Sequence, residues 1–212
     1  DVAAANEAHV ACVDDLLRLP APHTLAPSRQ PFNVVVTNAG DEGALAAARQ
    51  RAGQTDAGML DGRWMRLSDW PGATSDTVAL FLDARVQPDA GCAARLLAAI
   101  AQPGVALATS YYRRAESSGQ LETVMPLGAS LESGWRENTF GGPCFAANAA
   151  AFEALESATV NGALTCWPAY TAAACRGLTQ AIVSTPLYTV PAEALQCSGY
   201  AELEAVIRQF HT

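Results

Sequence analysis

The chain has 212 residues, half of them apolar, enough for one sizeable hydrophobic core and too apolar for a disordered polypeptide. Thirteen basic residues stand against 21 acidic ones, and the net charge of −8 argues against a broad nucleic-acid surface while leaving room for one small anion held by a few Arg. Lysine is missing, which removes Schiff-base catalysis and a phosphate-loop lysine, and the three His (His9, His23, His211) lie near the ends, away from any core triad or His-rich zinc site.

No apolar run approaches the roughly 20 residues of a bilayer crossing, and no basic-then-apolar leader opens the chain. Cys12, Cys92, Cys144, Cys166, Cys175 and Cys197 form no C-x-x-C pair. Their mostly Ala-rich surroundings read as small buried hydrophobes in a reducing, cytoplasmic setting, with a disulfide as the alternative.

Residues 1–19 carry Val10, Val13, Leu16 and Leu17 at helical spacing. Pro20, Pro22, Pro27 and Pro31 then mark an extended connector, so that 1–31 is either a linker to a neighbouring domain or an arm packed on the main one. Residues 32–212 form the domain proper. The β-branched run 32–37 is a buried strand, Asn38-Ala39-Gly40-Asp41 a turn, and 42–50 an Ala-rich helix with acid at its start. A strand at 64–67, a second buried strand at 77–83, a helix at 90–101 and a strand at 105–112 follow. The polar, Gly-rich stretch 113–142 reads as irregular. A short strand at 143–147 leads through Asn148 as a cap into a helix ending near 157. A helix at 165–176 closes on Gly177, and a strand at 181–184 and a helix at 199–210 complete the chain. Strands alternating with helices predict one α/β domain with a mostly parallel, Rossmann-like sheet flanked by helices.

Ligands of open α/β sheets bind beyond the carboxyl ends of the strands. Two such ends carry suitable chemistry: the turn from Thr37 to Glu42, and Asp83-Ala84-Arg85 after the apolar Ala79–Leu82 run. Each also has a plainer reading, as turn and cap residues. Trp64, Trp70, Trp135 and Trp167 could stack on sugar faces or simply fill the core. Tyr111-Tyr112-Arg113-Arg114 ends a strand as either a ligand contact or a solvated edge.

The order of these segments resembles glycosyltransferase family 2. Val34-Val35-Val36-Thr37 before a helix, Leu80-Phe81-Leu82-Asp83 with Pro88-Asp89 behind it, Met125-Pro126-Leu127-Gly128, Glu137–Gly142, Cys144–Asn148, Trp167, Cys175-Arg176-Gly177 and Pro186-Leu187-Tyr188 are similar to that family's succession over most of 32–190. The resemblance implies a GT-A fold and a nucleotide-diphosphate-sugar donor such as a UDP-sugar. It implies Thr37, Asn38, Glu42, Asp83 and Arg85 on the nucleotide side, and Trp135, Gly142 and Trp167 toward a glycan or other hydroxyl acceptor. It also implies Mn2+ or Mg2+ at Asp83.

Three positions depart from the family. Its metal motif has carboxylates at both ends of a three-residue unit, but here Arg85 stands third, either meeting phosphate directly or pointing to solvent. The family's Glu-Asp pair before the aromatic falls on Thr165-Cys166, and a thiol with a pKa near ~8.5 is a poor base for an acceptor hydroxyl. Glu132, Glu137 or Asp83 are the remaining candidates. The stretch between Thr37 and Asp83, part of which normally helps hold the base, is short for the family. Two functions therefore stand: an inverting glycosyltransferase, or a catalytically silent relative that binds nucleotide or sugar, or scaffolds. A nucleotidyltransferase-like enzyme would want paired carboxylates that this chain lacks.

Overall fold

The structure is a computed structural model and describes residues 31–72, 77–128, 134, 138–160 and 163–195. Its centre is three short apolar strands: β1 (Asn33–Thr37), β3 (Val78–Asp83) and β7 (Cys144–Asn148). A strand with a run of consecutive apolar residues has to be covered on both faces. In β3, Ala79 and Phe81 enter one core while Leu80 and Leu82 enter the other. Phe145 and Ala147 of β7 join Phe81, and Cys144 and Ala146 join Leu82.

Helices α1 (Glu42–Gln54) and α2 (Cys92–Ile100) cover the Leu80 face through Ala52, Leu96 and Ile100. Helices α3 (Ala149–Ser157) and α4 (Cys166–Cys175) cover the Phe81 face through Phe152, Leu155, Ala169 and Tyr170. The result is a three-layer α/β unit. Phe81 stacks on Phe145 with centroids 5.0 Å apart and meets Trp70 edge-on at 5.3 Å, so Trp70 is a core residue. Trp64 donates Nε1–H to Met59 O at 3.0 Å and packs inward as well.

The sheet has eight strands in the order β2-β1-β3-β7-β5-β10-β4, with β6 paired to β5 beside this path. The outer members are β2 (Arg63–Arg66), β4 (Gln87–Pro88), β5 (Val105–Ala115), β6 (Leu121–Val124) and β10 (Thr179–Pro191). A separate hairpin joins β8 (Thr159–Val160) to β9 (Ala163–Leu164).

The α/β class is as the sequence predicts, but the mostly parallel sheet is not. Only β1–β2, β1–β3 and β5–β10 are parallel. The pairs β3–β7, β5–β7, β5–β6 and β4–β10 are antiparallel. The physical reason lies after β5. The chain folds back through β6, Leu127 N donates to Thr139 O, and Pro143 arrives beside Asp83. It thus enters β7 from the carboxyl end of β3 and has to run against it. A parallel neighbour would need a crossover to the opposite end.

Local signals fix the helix ends. Asp41 caps α1 by accepting from Ala44 N at 2.8 Å, and Asn148 caps α3 by accepting from Ala150 N at 3.1 Å. After α4, Gly177 takes φ +68°, Gly177 N donates to Ala174 O, and Leu178 N donates to Ala173 O. These are the two bonds of a Schellman ending. The expected helices at 1–19 and 199–210 lie outside the described residues, as does all of the 1–31 segment but Pro31.

Candidate functional site

The register of β1 against β3 sets Thr37 opposite Asp83, and Ala84 N donates to Thr37 O at 3.0 Å. On the other flank, Asp83 N donates to Pro143 O at 2.9 Å. Three chain segments therefore converge on Asp83: the end of β1, the end of β3 and the entry to β7.

The Asp83 side chain is only 3 % exposed, a costly position for a carboxylate unless it is well partnered. Asn38 supplies one partner from a left-handed backbone conformation, φ 58°, which Asn tolerates better than most residues. Its Nδ2 donates to Asp83 Oδ2 at 2.5 Å. Arg85 supplies the rest: its N and Nε donate to Oδ1 and its Nη2 donates to Oδ2, each at 2.9 Å. Burial pushes the Asp83 carboxyl up, but the Arg85 hydrogen bonds, the Asn38 bond and the Arg85 charge outweigh it and hold the group below its ordinary value.

A divalent cation does not fit this donor set. Two carboxylate oxygens offer about four lone-pair sites, and four donors already fill them. Mg2+ or Mn2+ wants several hard oxygens, whereas the next side chain is a guanidinium. Among the described residues no group of three or more His, Cys, Asp or Glu could hold a metal.

The other predicted residues divide. Glu42 sits in the first turn of α1, largely exposed, and faces Arg66 Nε at 3.4 Å rather than Asp83; Arg66 is also bonded to Asp69 at 2.6 Å. Gly142 lies next to Pro143 and belongs to the Asp83 end of the sheet. A Cβ there would strike Tyr188 Oη and approach Tyr112 Cε1 to 2.9 Å, so only glycine fits. Its carbonyl accepts from Tyr170 Oη at 2.9 Å. Trp167 is buried and donates Nε1–H to Gly134 O at 2.6 Å. Trp135, Glu132 and Glu137 lie outside the described residues.

Cys166, at the position where the resemblance expects a carboxylate base, is a buried thiol, with Asn138 Nδ2 3.9 Å from its Sγ. Cys92, Cys144 and Cys175 form no disulfide, and the first two are fully buried, in line with the reading as small hydrophobes; Cys12 and Cys197 lie outside the described residues. Arg113 is ion-paired with Asp89, and Arg114 with Glu116 and Glu122, while Tyr112 is buried, so this end of β5 is not a solvated edge.

A buried tyrosine group behind Gly142 escaped the sequence reading. Tyr112 and Tyr188 stack with centroids 5.4 Å apart, and Tyr170 Oη lies 3.2 Å from Thr109 Oγ1. Burial pushes the Tyr170 and Tyr188 hydroxyls well above their ordinary range, so both stay protonated. The Gly141-Gly142 pair was the available signal, because adjacent glycines in a sheet lead-in mark a close approach by bulky neighbours.

The fold and site together define an α/β domain with a mixed sheet and an Asn38–Asp83–Arg85 cluster at the carboxyl ends of β1 and β3, its carboxylate buried and its guanidinium half-exposed. No family model matches the chain, and no curated protein matches it.

Proposed function

We propose that this chain is a glycosyltransferase-like module that binds a nucleotide-diphosphate-sugar at the Thr37–Asp83 end of the sheet and does not itself transfer the sugar. The observation that carries the reading is the state of Asp83. The residue that would start a metal–diphosphate site is consumed by Arg85 and Asn38. Cys166 adds no carboxylate base. The convergence of Thr37, Asn38, Asp83 and Gly142 at one end of the sheet supports retained ligand binding, because strand ends of this kind present a polar floor on a rigid frame.

Calorimetric titration with UDP, GDP and a UDP-sugar, paired with a donor-hydrolysis assay, tests the proposal. Binding without hydrolysis is expected. Turnover of the donor would replace the silent module with an active inverting transferase. No binding of any nucleotide would remove the donor site altogether.

A further inference from the structure

The turn that carries Asp83 and Arg85 is held from the side by α1. It is closed by Val86 N donating to Asp83 O at 3.0 Å, which leaves the carbonyl of its second residue, Ala84, without a partner inside the turn. Ala84 is buried, and a buried carbonyl has to find a donor. Arg51, in the last turn of α1, supplies it: its Nη2 donates to Ala84 O. The contact is returned, because Gln87 Nε2 donates to Arg51 O at 3.0 Å. Further along, Thr55 Oγ1 donates to Pro88 O at 2.5 Å, Gly91 N to Asp56 O at 3.1 Å and Ala93 N to Ala57 O at 2.9 Å. Residues 51–57 and 84–93 thus run together as one seam, and Arg51 forms the end of it that meets the Asp83 turn.

The helix dipole explains why a cation stands in the last turn of α1, but not why it reaches Ala84. No carboxylate among the described residues pairs with Arg51, and its Nε is buried without a partner. A buried donor left unpaired is unfavourable, and such local costs concentrate where a side chain serves a site. We infer that Arg51 is the positioning residue of the donor end: by holding Ala84 O it sets the turn from which Arg85 reaches the Asp83 carboxylate. The ligand-binding half of the inference rests on reading the Thr37–Asp83 end as a donor site. Arg85 N and Val86 N both bond back to Asp83, the first to Oδ1 at 2.9 Å and the second to the carbonyl. Loosening the turn therefore releases both amides together.

The test is NMR-detected amide hydrogen exchange, together with calorimetric titration of UDP, on the full chain and its Arg51→Met and Arg51→Lys variants. Methionine keeps much of the bulk and removes the donor, whereas lysine restores one. In Arg51→Met the amides of Arg85 and Val86 are expected to exchange about tenfold to a hundredfold faster, the size of an orphaned buried carbonyl. Amides of β1, β3 and β7 inside the sheet should keep their wild-type rates. UDP is expected to bind about tenfold more weakly, again the scale of one lost hydrogen bond, and Arg51→Lys to recover both readouts in part. Unchanged exchange at 85 and 86, or a rise spread over the whole sheet, overturns the inference. If Arg51→Met does not fold, Gln87→Met removes only the returned bond and should show the same local rise to a smaller extent; unchanged rates there overturn the inference as well. Wild-type UDP affinity in a variant whose turn exchanges fast would refute the positioning role. Failure of the wild type to bind UDP would refute the donor-site reading, and the exchange rates alone would then decide whether Arg51 sets the turn.

Discussion

Asp83 illustrates how a buried charge is tolerated when every lone pair is used. Replacing it with Asn leaves Arg85 and Asn38 with a weaker acceptor. Because Arg85 is half-exposed and can rehydrate, the expected cost is about 1–3 kcal/mol rather than that of a fully buried pair. The same carboxyl is held below its ordinary value. Its contribution is therefore complete above the unfolded-state value of about 3.9 and is lost as pH falls further through the folded one. Thermal melts of wild type and Asp83→Asn should show a gap at pH 7 that closes as the solution is acidified below pH 4. A gap that widens in acid would reverse the assignment. Gly142→Ala makes a different test, since the added methyl meets Tyr188 and Tyr112. Overpacking of this kind costs about 1–3 kcal/mol, and the variant should have a lowered melting temperature with no change in its acid limb.

At the scale of elements, the caps and apolar runs were legible and the long strands were not. Asn148, Gly177 and the runs of β1 and β3 act through neighbours in sequence, so local chemistry predicts them to within a residue or two. In β10 the run at 181–184 was visible, but the strand continues through Pro186 to Pro191. It does so with register shifts around Pro186, where a proline's missing N–H can be absorbed. The polar end of β5 and the whole of β6 are held by cross-strand pairing, with Arg114 against Glu122. No apolar pattern announces them. The site was read in a similar proportion: Thr37, Asn38 and Asp83 follow from strand ends, while Arg85's return onto Asp83 is a rotamer that spacing cannot reveal. Gly177→Ala should cost about 1 kcal/mol, because its positive φ is unfavourable for alanine. Denaturant melts would check it, and an unchanged midpoint would mean that the α4 ending is not held as described.

Among the described residues an aromatic cluster joins the sheet to the helical layer on its Phe81 face. Phe81, Phe145, Phe152 and Trp70 tie the central strands to α3. Phe81→Ala should therefore destabilise the domain by about 3–5 kcal/mol, seen as a lower urea midpoint; a loss below about 1 kcal/mol would show that the junction collapses around the gap.

The antiparallel insertion of β7 also has a consequence for how the chain comes together. Val78 pairs with Asn148 and Leu82 with Cys144, so β3 lacks its second neighbour until residues 144–148 are available. Until then a strongly apolar strand is an open edge, the kind of surface that templates intermolecular pairing. High contact order of this sort slows folding. A chain released after residue 142 should sediment with aggregates, whereas one extended through β10, which covers the other edge of β5, should remain in the supernatant. The strand that joins the two halves of the sheet thus also covers the open edge of β3 in the nascent chain.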